Sequence, residues 1–89
     1  MNKPTAYKIH IQGLVQGVGF RPFIYRLATQ NRLKGWVVNR NDGVVVQVHA
    51  EAETVKQFIS QIRAYAPEAS RIRNIDWQAS EDEQSSDFH

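Results

Sequence analysis

Cysteine is absent from the sequence, which excludes disulfides, thiolate metal sites and cysteine nucleophiles and fits a reducing compartment. No stretch is long and apolar enough for the hydrophobic part of a signal peptide or for a transmembrane helix, so we expect a soluble cytoplasmic protein without a membrane partner. The three histidines are scattered and lack metal-site spacing. We therefore expect neither a metal nor a cofactor.

Basic and acidic residues are unevenly distributed along the chain. Residues 1–80 hold all eleven Lys and Arg and only five acidic residues, so this part carries a formal charge of about +6. Residues 81–89 form an acidic tail, and residues 1–5 are expected to be a loose leader. The 42% of hydrophobic residues suffices for one core, so we expect a single domain over 1–89. A positive domain attracts phosphorylated small molecules and nucleic acids alike.

Three of the five glycines lie in residues 13–19, which we call the glycine loop. A predicted strand, 6–12, precedes it, and a predicted helix, 21–31, follows. Glycines allow backbone N–H groups to converge, a helix N-terminus attracts anions, and Arg21 can hold two phosphate oxygens at once. The spacing matches neither the dinucleotide-binding motif nor the P-loop. The pattern therefore favours another kind of anion site, with a simple turn beside a surface arginine as the alternative.

The remaining periodicities predict the rest of the fold. Asn41–Gly43 is a strong hairpin signal. The apolar residues before and after Arg73–Asn74 would fall on opposite faces of a regular strand, which indicates a bulge there. The further elements are predicted as a strand 33–40, a strand 44–50, a helix 53–66 and a strand 71–79. This order is the ferredoxin-like split βαβ plan of the α+β class, β-α-β-β-α-β, an antiparallel sheet with both helices on one face.

Asn39 is the second candidate site residue. Its amide can accept a hydrogen bond from water and donate one to a phosphoryl oxygen, although capping of the following turn is an alternative role. Asp42 is interpreted as a hairpin residue rather than a general base. His10 and His49 fall on polar strand positions and are expected to be solvated. The core or its margin is expected to hold Trp36, Trp77, Tyr25 and Tyr65.

Two segments resemble the acylphosphatase family. Residues 15–21, VQGVGFR, are similar to its phosphate-binding signature, and residues 35–39 followed by 41–43 are similar to its second signature. Their order and separation make the resemblance specific, and it extends roughly from Tyr7 to Trp77. The continuation over residues 21–28 is similar to the amino-terminal domain of the hydrogenase maturation carbamoyltransferases, the HypF type.

The resemblance implies an α/β sandwich with a fifth strand beside the second. Residues 86–89 look like the beginning of that strand, so we expect the chain to be a fragment of a longer protein whose fifth strand is cut. The strand that carries Asn39 would then be left as an exposed edge, which favours pairing between molecules.

The resemblance also implies the chemistry of the site. Arg21 would anchor the phosphate of an acyl phosphate and Asn39 would position the attacking water. In the HypF type the substrate would be carbamoyl phosphate, and downstream domains of the same protein would pass the carbamoyl group to a hydrogenase maturation partner. The implied phosphate-binding loop consists of Gln16, Gly17, Val18, Gly19, Phe20 and Arg21.

Three other functions stay open. A free-standing acylphosphatase would share both signatures, and a catalytically silent interaction domain would keep only the fold. A nucleic-acid-binding domain of this plan would carry aromatic residues on its central strands, but residues 43–50 contain none. We therefore expect no nucleic-acid partner.

Overall fold

Two helices cover one face of a four-stranded antiparallel sheet in the computed structural model, which describes residues 6–80 and residue 88. The strand order is β2-β3-β1-β4, and every neighbouring pair is antiparallel. This arrangement confirms the predicted split βαβ plan. The elements are β1 (Ala6–Leu14), α1 (Phe20–Gln30), β2 (Gly35–Arg40), β3 (Gly43–His49), α2 (Ala52–Tyr65) and β4 (Arg71–Ala79).

The core lies between the sheet and the helices. Alternate residues of β1 and β3 point toward the helices, and the apolar stripe of each helix meets them, as the two periodicities require. The fully buried side chains of the sheet in this layer are Ile9, Ile11, Val44, Val46 and Val48. The helices contribute Phe20, Phe23, Ile24, Leu27, Ala28, Val55, Phe58 and Ile62.

The predicted bulge lies in β4. Gln12 pairs with Asn74, whereas the next residue of β1, Gly13, pairs with Ile72, so Arg73 is the extra residue. The shift turns Ile72 and Ile75 toward the same face, and both pack against the core. This confirms the bulge inferred from the change of parity.

Some predicted boundaries and one predicted core residue differ from the structure. The first strand extends to Leu14, two residues beyond its predicted end. The second strand begins at Gly35 rather than at residue 33, because the chain is still closing α1: Leu33 N–H donates to the Ala28 carbonyl at 2.9 Å, and Arg32 has a positive φ of 59°. Tyr65 is not a core residue, since 69% of it is exposed near the end of α2. Tyr25 lies at the margin with 48% exposed.

Phe88 lies beside β2, where the resemblance implied a fifth strand. It forms a parallel bridge with Gly35, only 5% of it is exposed, and its ring packs edge-on against Tyr25 with the centroids 5.9 Å apart. The predicted leader, 1–5, and the rest of the predicted tail, 81–87 and 89, lie outside the described residues. Neither helix in the described part of the chain could cross a membrane.

Candidate active site

Strand pairing brings the glycine loop and Asn39 to the same end of the sheet. Gly43, at the start of β3, pairs with Gln12 near the end of β1 and with Arg40 at the end of β2. The glycine loop therefore leaves the sheet where β2 ends. Asn39 lies one residue before that end, so the two candidate elements are neighbours in space.

Between the end of β1 and the start of α1, the conformation of the glycine loop requires glycine at two positions. Gly17 and Gly19 have φ angles of 75° and 79°, in the left-handed region that other residues rarely adopt. A Cβ atom at either position would meet nothing within 4 Å. Glycine is therefore needed there for the backbone conformation and not for lack of space.

The N-terminus of α1 has no side-chain cap. Gly19 occupies the cap position, the first turn contains no acidic residue, and Pro22 has no N–H to satisfy. The first helical bond runs from Phe23 N–H to the Gly19 carbonyl at 3.1 Å. Within residues 6–80 and 88, the backbone N–H groups of 17–21 donate to no protein acceptor. These donors and the positive end of the helix dipole are available to an anion.

Arg21 is positioned by buried neighbours while its own side chain is exposed. Phe20 and Phe23 are 1% and 7% exposed and hold the first turn of α1 against the core. The guanidinium of Arg21 forms no ion pair or hydrogen bond with any other residue that the structure describes. The first turn therefore contains backbone donors and a cation that have no partner among the described residues, and these are groups that bidentate phosphate binding would use.

Asn39 faces the helix side of the sheet. Residues of β2 alternate between the faces, and Val37, two positions earlier, packs against the core. The side chain of Asn39 is exposed and hydrogen-bonds to none of the residues in the described ranges. It therefore does not cap the hairpin turn, and its amide is available at the end of the sheet from which the glycine loop leaves.

The side chain of Gln16 is exposed and contacts the hairpin. Its Nε2 donates to the carbonyls of Arg40 and Gly43, the second at 2.9 Å. The sequence identified Gln16 only as a member of the loop. No local pattern predicts these contacts, because the partners lie on another strand pair.

Asp42 lies in the hairpin turn and anchors it to β1 on the helix-free face. Gln12 Nε2 donates to Oδ2 at 2.8 Å, and His10 Nε2 lies 3.1 Å from Oδ1. The hydrogen bond from Gln12, followed by that from His10, lowers the pKa of Asp42 below its usual value. Its carbonyl also accepts Gly13 N–H at 3.1 Å. His10, expected to be solvated, is thus partnered, and Asp42 has the structural role assigned to it.

The described side chains include no group of three His, Asp or Glu residues arranged to hold a metal ion. The candidate site consists instead of backbone donors, one arginine and one amide. Such a set can bind a phosphoryl group, neutralise its charge and orient a water molecule.

Comparison with known proteins identifies the family to which this fold belongs. The acylphosphatase family model matches residues 7–89. The chain is 42% identical over 69 residues to the probable carbamoyltransferase HypF of Methanocaldococcus jannaschii, a match that covers 78% of this chain and 9% of that protein. A crystal structure of full-length HypF in the phosphate- and nucleotide-bound form superposes with a TM-score of 0.86 and 38% identity, over 93% of this chain and 11% of that one.

Acylphosphatase from Bacillus subtilis superposes with a TM-score of 0.83 and 32% identity, over 93% of each chain. The chain thus spans 9% of the HypF of M. jannaschii and nearly all of the smaller enzyme. The family model and both kinds of relative show that the chain belongs to the acylphosphatase family.

Proposed function

We propose that the chain hydrolyses an acyl phosphate, with carbamoyl phosphate as its substrate, as one domain of a HypF-type carbamoyltransferase. The observation that carries the proposal is the free guanidinium of Arg21 in the same helical turn as unpaired backbone donors. The identity to HypF proteins supports the choice of substrate. The parent protein would act in hydrogenase maturation in the cytoplasm, and its other domains would use the carbamate.

Binding would use the loop donors and Arg21 together. The N–H groups of residues 17–21 would surround the phosphoryl oxygens, and Arg21 would hold two of them through its planar fork. These donors are fixed before the substrate arrives, because buried side chains hold both ends of the loop: Val15 and Phe20 are each 1% exposed. Donors that need no reorganisation stabilise developing charge most effectively.

Asn39 would orient the attacking water. Its Oδ1 accepts a hydrogen bond from the water and its Nδ2 donates to a phosphoryl oxygen, which brings the nucleophile close to phosphorus. The water oxygen forms the new bond to phosphorus while the bond from phosphorus to the acyl oxygen breaks, and the water proton passes to solvent. The products are inorganic phosphate and carbamate. A carboxylate-type leaving group needs no general acid.

Phosphate release from carbamoyl phosphate and from benzoyl phosphate tests this proposal, with a protein-free sample to correct for spontaneous decay. Arg21→Ala removes a charge-assisted fork, so we expect inhibition by inorganic phosphate to weaken by about 10²-fold. Arg26→Ala is the matched control, since Arg26 is also exposed on α1 but lies beyond its first turn.

Asn39→Ala should act differently from Arg21→Ala. We expect kcat to fall by about 10²-fold while inhibition by inorganic phosphate changes less than about twofold, because the binding donors stay in place. Equal phosphate inhibition in Arg21→Ala and the unsubstituted protein would contradict the proposed binding site. A normal kcat in Asn39→Ala would contradict the role in orienting water.

A free-standing acylphosphatase is the second candidate, favoured by the coverage of 93% of each chain in the match to the B. subtilis enzyme. The two candidates differ in substrate preference. A higher kcat/KM for carbamoyl phosphate than for benzoyl phosphate supports the HypF-type domain, whereas the reverse order supports general acyl phosphate hydrolysis.

A further inference from the structure

The amide of Gln16 connects the glycine loop to the hairpin that follows Asn39. One Nε2 group donates to the carbonyls of Arg40 and Gly43, which stand on either side of the hairpin turn. An amide nitrogen has two N–H donors, so both are used in this contact. No other side chain of the glycine loop hydrogen-bonds to the hairpin within the described ranges 6–80 and 88.

The glycine loop does not depend on this contact for its own shape. Val15 is 1% exposed and donates its N–H to the Gly13 carbonyl at 3.1 Å. At the other end, Phe20 is buried and the Gly19 carbonyl accepts the first helical hydrogen bond. Val18 also packs against the core. Loss of the Gln16 amide should therefore leave the phosphate-binding donors in place.

The end of β2 has fewer restraints. Residues 38–40 are all exposed. On one side they pair with β3, and on the other side no residue in the described part of the chain pairs with them. The Arg40 carbonyl, which directly follows Asn39 along the chain, is one of the two acceptors of Gln16. The contact thus restrains the backbone next to Asn39 and ties it to the glycine loop.

We propose that Gln16 is a positioning residue that sets Asn39 relative to the phosphate-binding loop by donating to the carbonyls of Arg40 and Gly43. The inference rests on the proposed hydrolysis, in which Asn39 orients water. A displacement of about 1 Å in such a group lowers turnover by up to about 10²-fold. The positioning role is assigned to the side chain of Gln16, whereas the backbone of Gln16 is part of the phosphate-binding loop.

The test is Gln16→Met, which keeps the length of the side chain and removes both donors. We expect kcat for carbamoyl phosphate to fall by about tenfold or more and phosphate inhibition to change less than about twofold. Gln57→Met is the matched control, because Gln57 is exposed on α2 and should tolerate the same substitution with kcat unchanged.

A double-mutant cycle separates positioning from a general structural effect. In the Asn39→Ala background, Gln16→Met should cause no further loss of kcat, because Gln16 acts through Asn39. Equal fold-losses in both backgrounds would overturn the proposal. A Gln16→Met variant whose lower activity is explained entirely by weaker phosphate inhibition would also overturn the proposal. A Gln16→Met variant that does not fold would overturn it as well.

Backbone NMR relaxation gives a readout that needs no activity. In Gln16→Met, the heteronuclear NOE should fall for the amides of residues 39–41 and stay unchanged for residues 17–20. Unchanged values at 39–41 would overturn the positioning role. If the unsubstituted protein released no phosphate from either substrate, the proposed function would fail, and the NOE comparison would still decide whether Gln16 holds the hairpin.

Discussion

Phe88→Ala should destabilise the domain more than any exposed aromatic substitution. The ring of Phe88 is 5% exposed, belongs to the core cluster and packs edge-on against Tyr25 at 5.9 Å. Its backbone bridges Gly35 of β2. The residue therefore closes the core at the side of the sheet where β2 lies.

The expected loss of stability in Phe88→Ala follows from the burial of the Phe88 ring. Complete burial of a Phe side chain stabilises a fold by about 1.5–3 kcal/mol, and replacing a core Phe by Ala costs about 3–5 kcal/mol when the cavity persists. Phe88 joins β2 through one isolated bridge, so the chain around it can relax into part of the space. We therefore expect a loss of about 3 kcal/mol. For a urea dependence of about 1–1.5 kcal/mol per M, the unfolding midpoint falls by about 2–3 M.

Equilibrium urea unfolding monitored by circular dichroism measures this loss. Tyr65→Ala is the control, since Tyr65 is 69% exposed and its removal should change the free energy of unfolding by less than about 0.5 kcal/mol. If Phe88→Ala and Tyr65→Ala shifted the midpoint equally, the inference that Phe88 completes the core would be refuted.

Two further substitutions test the loop and the hairpin. Gly19→Ala places a side chain at a φ of 79° with open space around it, so the free energy of unfolding measured in urea should fall by only about 1–2 kcal/mol. The strained backbone should also reorient the N–H donors of the loop, which should weaken inhibition by phosphate by at least about tenfold. Because the folded pKa of Asp42 is lowered, its carboxylate stabilises the fold above the unfolded pKa of about 3.9 and loses this effect as the pH falls through the folded pKa. Asp42→Asn should therefore lower Tm at pH 7, and the difference should shrink below pH 4; a constant difference in Tm would contradict the pKa argument.

Local sequence patterns were enough to predict much of the fold. The residues of β3 alternate between the core and the outer face, and α1 and α2 each carry one apolar stripe. In β4 the change of parity predicted a bulge near Arg73–Asn74, and the register assigns it to Arg73. These features depend on side-chain period, which a single segment contains. The boundary at Gly35 was missed because Leu33 still closes α1, and that closure depends on a backbone hydrogen bond from Leu33 N–H to the Ala28 carbonyl.

The sequence by itself determined the order of the elements, the glycine-rich turn between the first strand and the first helix, and the candidates Arg21 and Asn39. The tertiary structure decided which groups are available and which are already bonded. Arg21 and Asn39 have free side chains within the described ranges, whereas Gln16 is committed to the hairpin. The carboxylate of Asp42 is likewise committed, to Gln12 and His10. The physical reason is that hydrogen-bond partners far apart in the chain meet only through strand pairing. The strands β1 and β3 are not joined by a turn, so no turn geometry fixes their register.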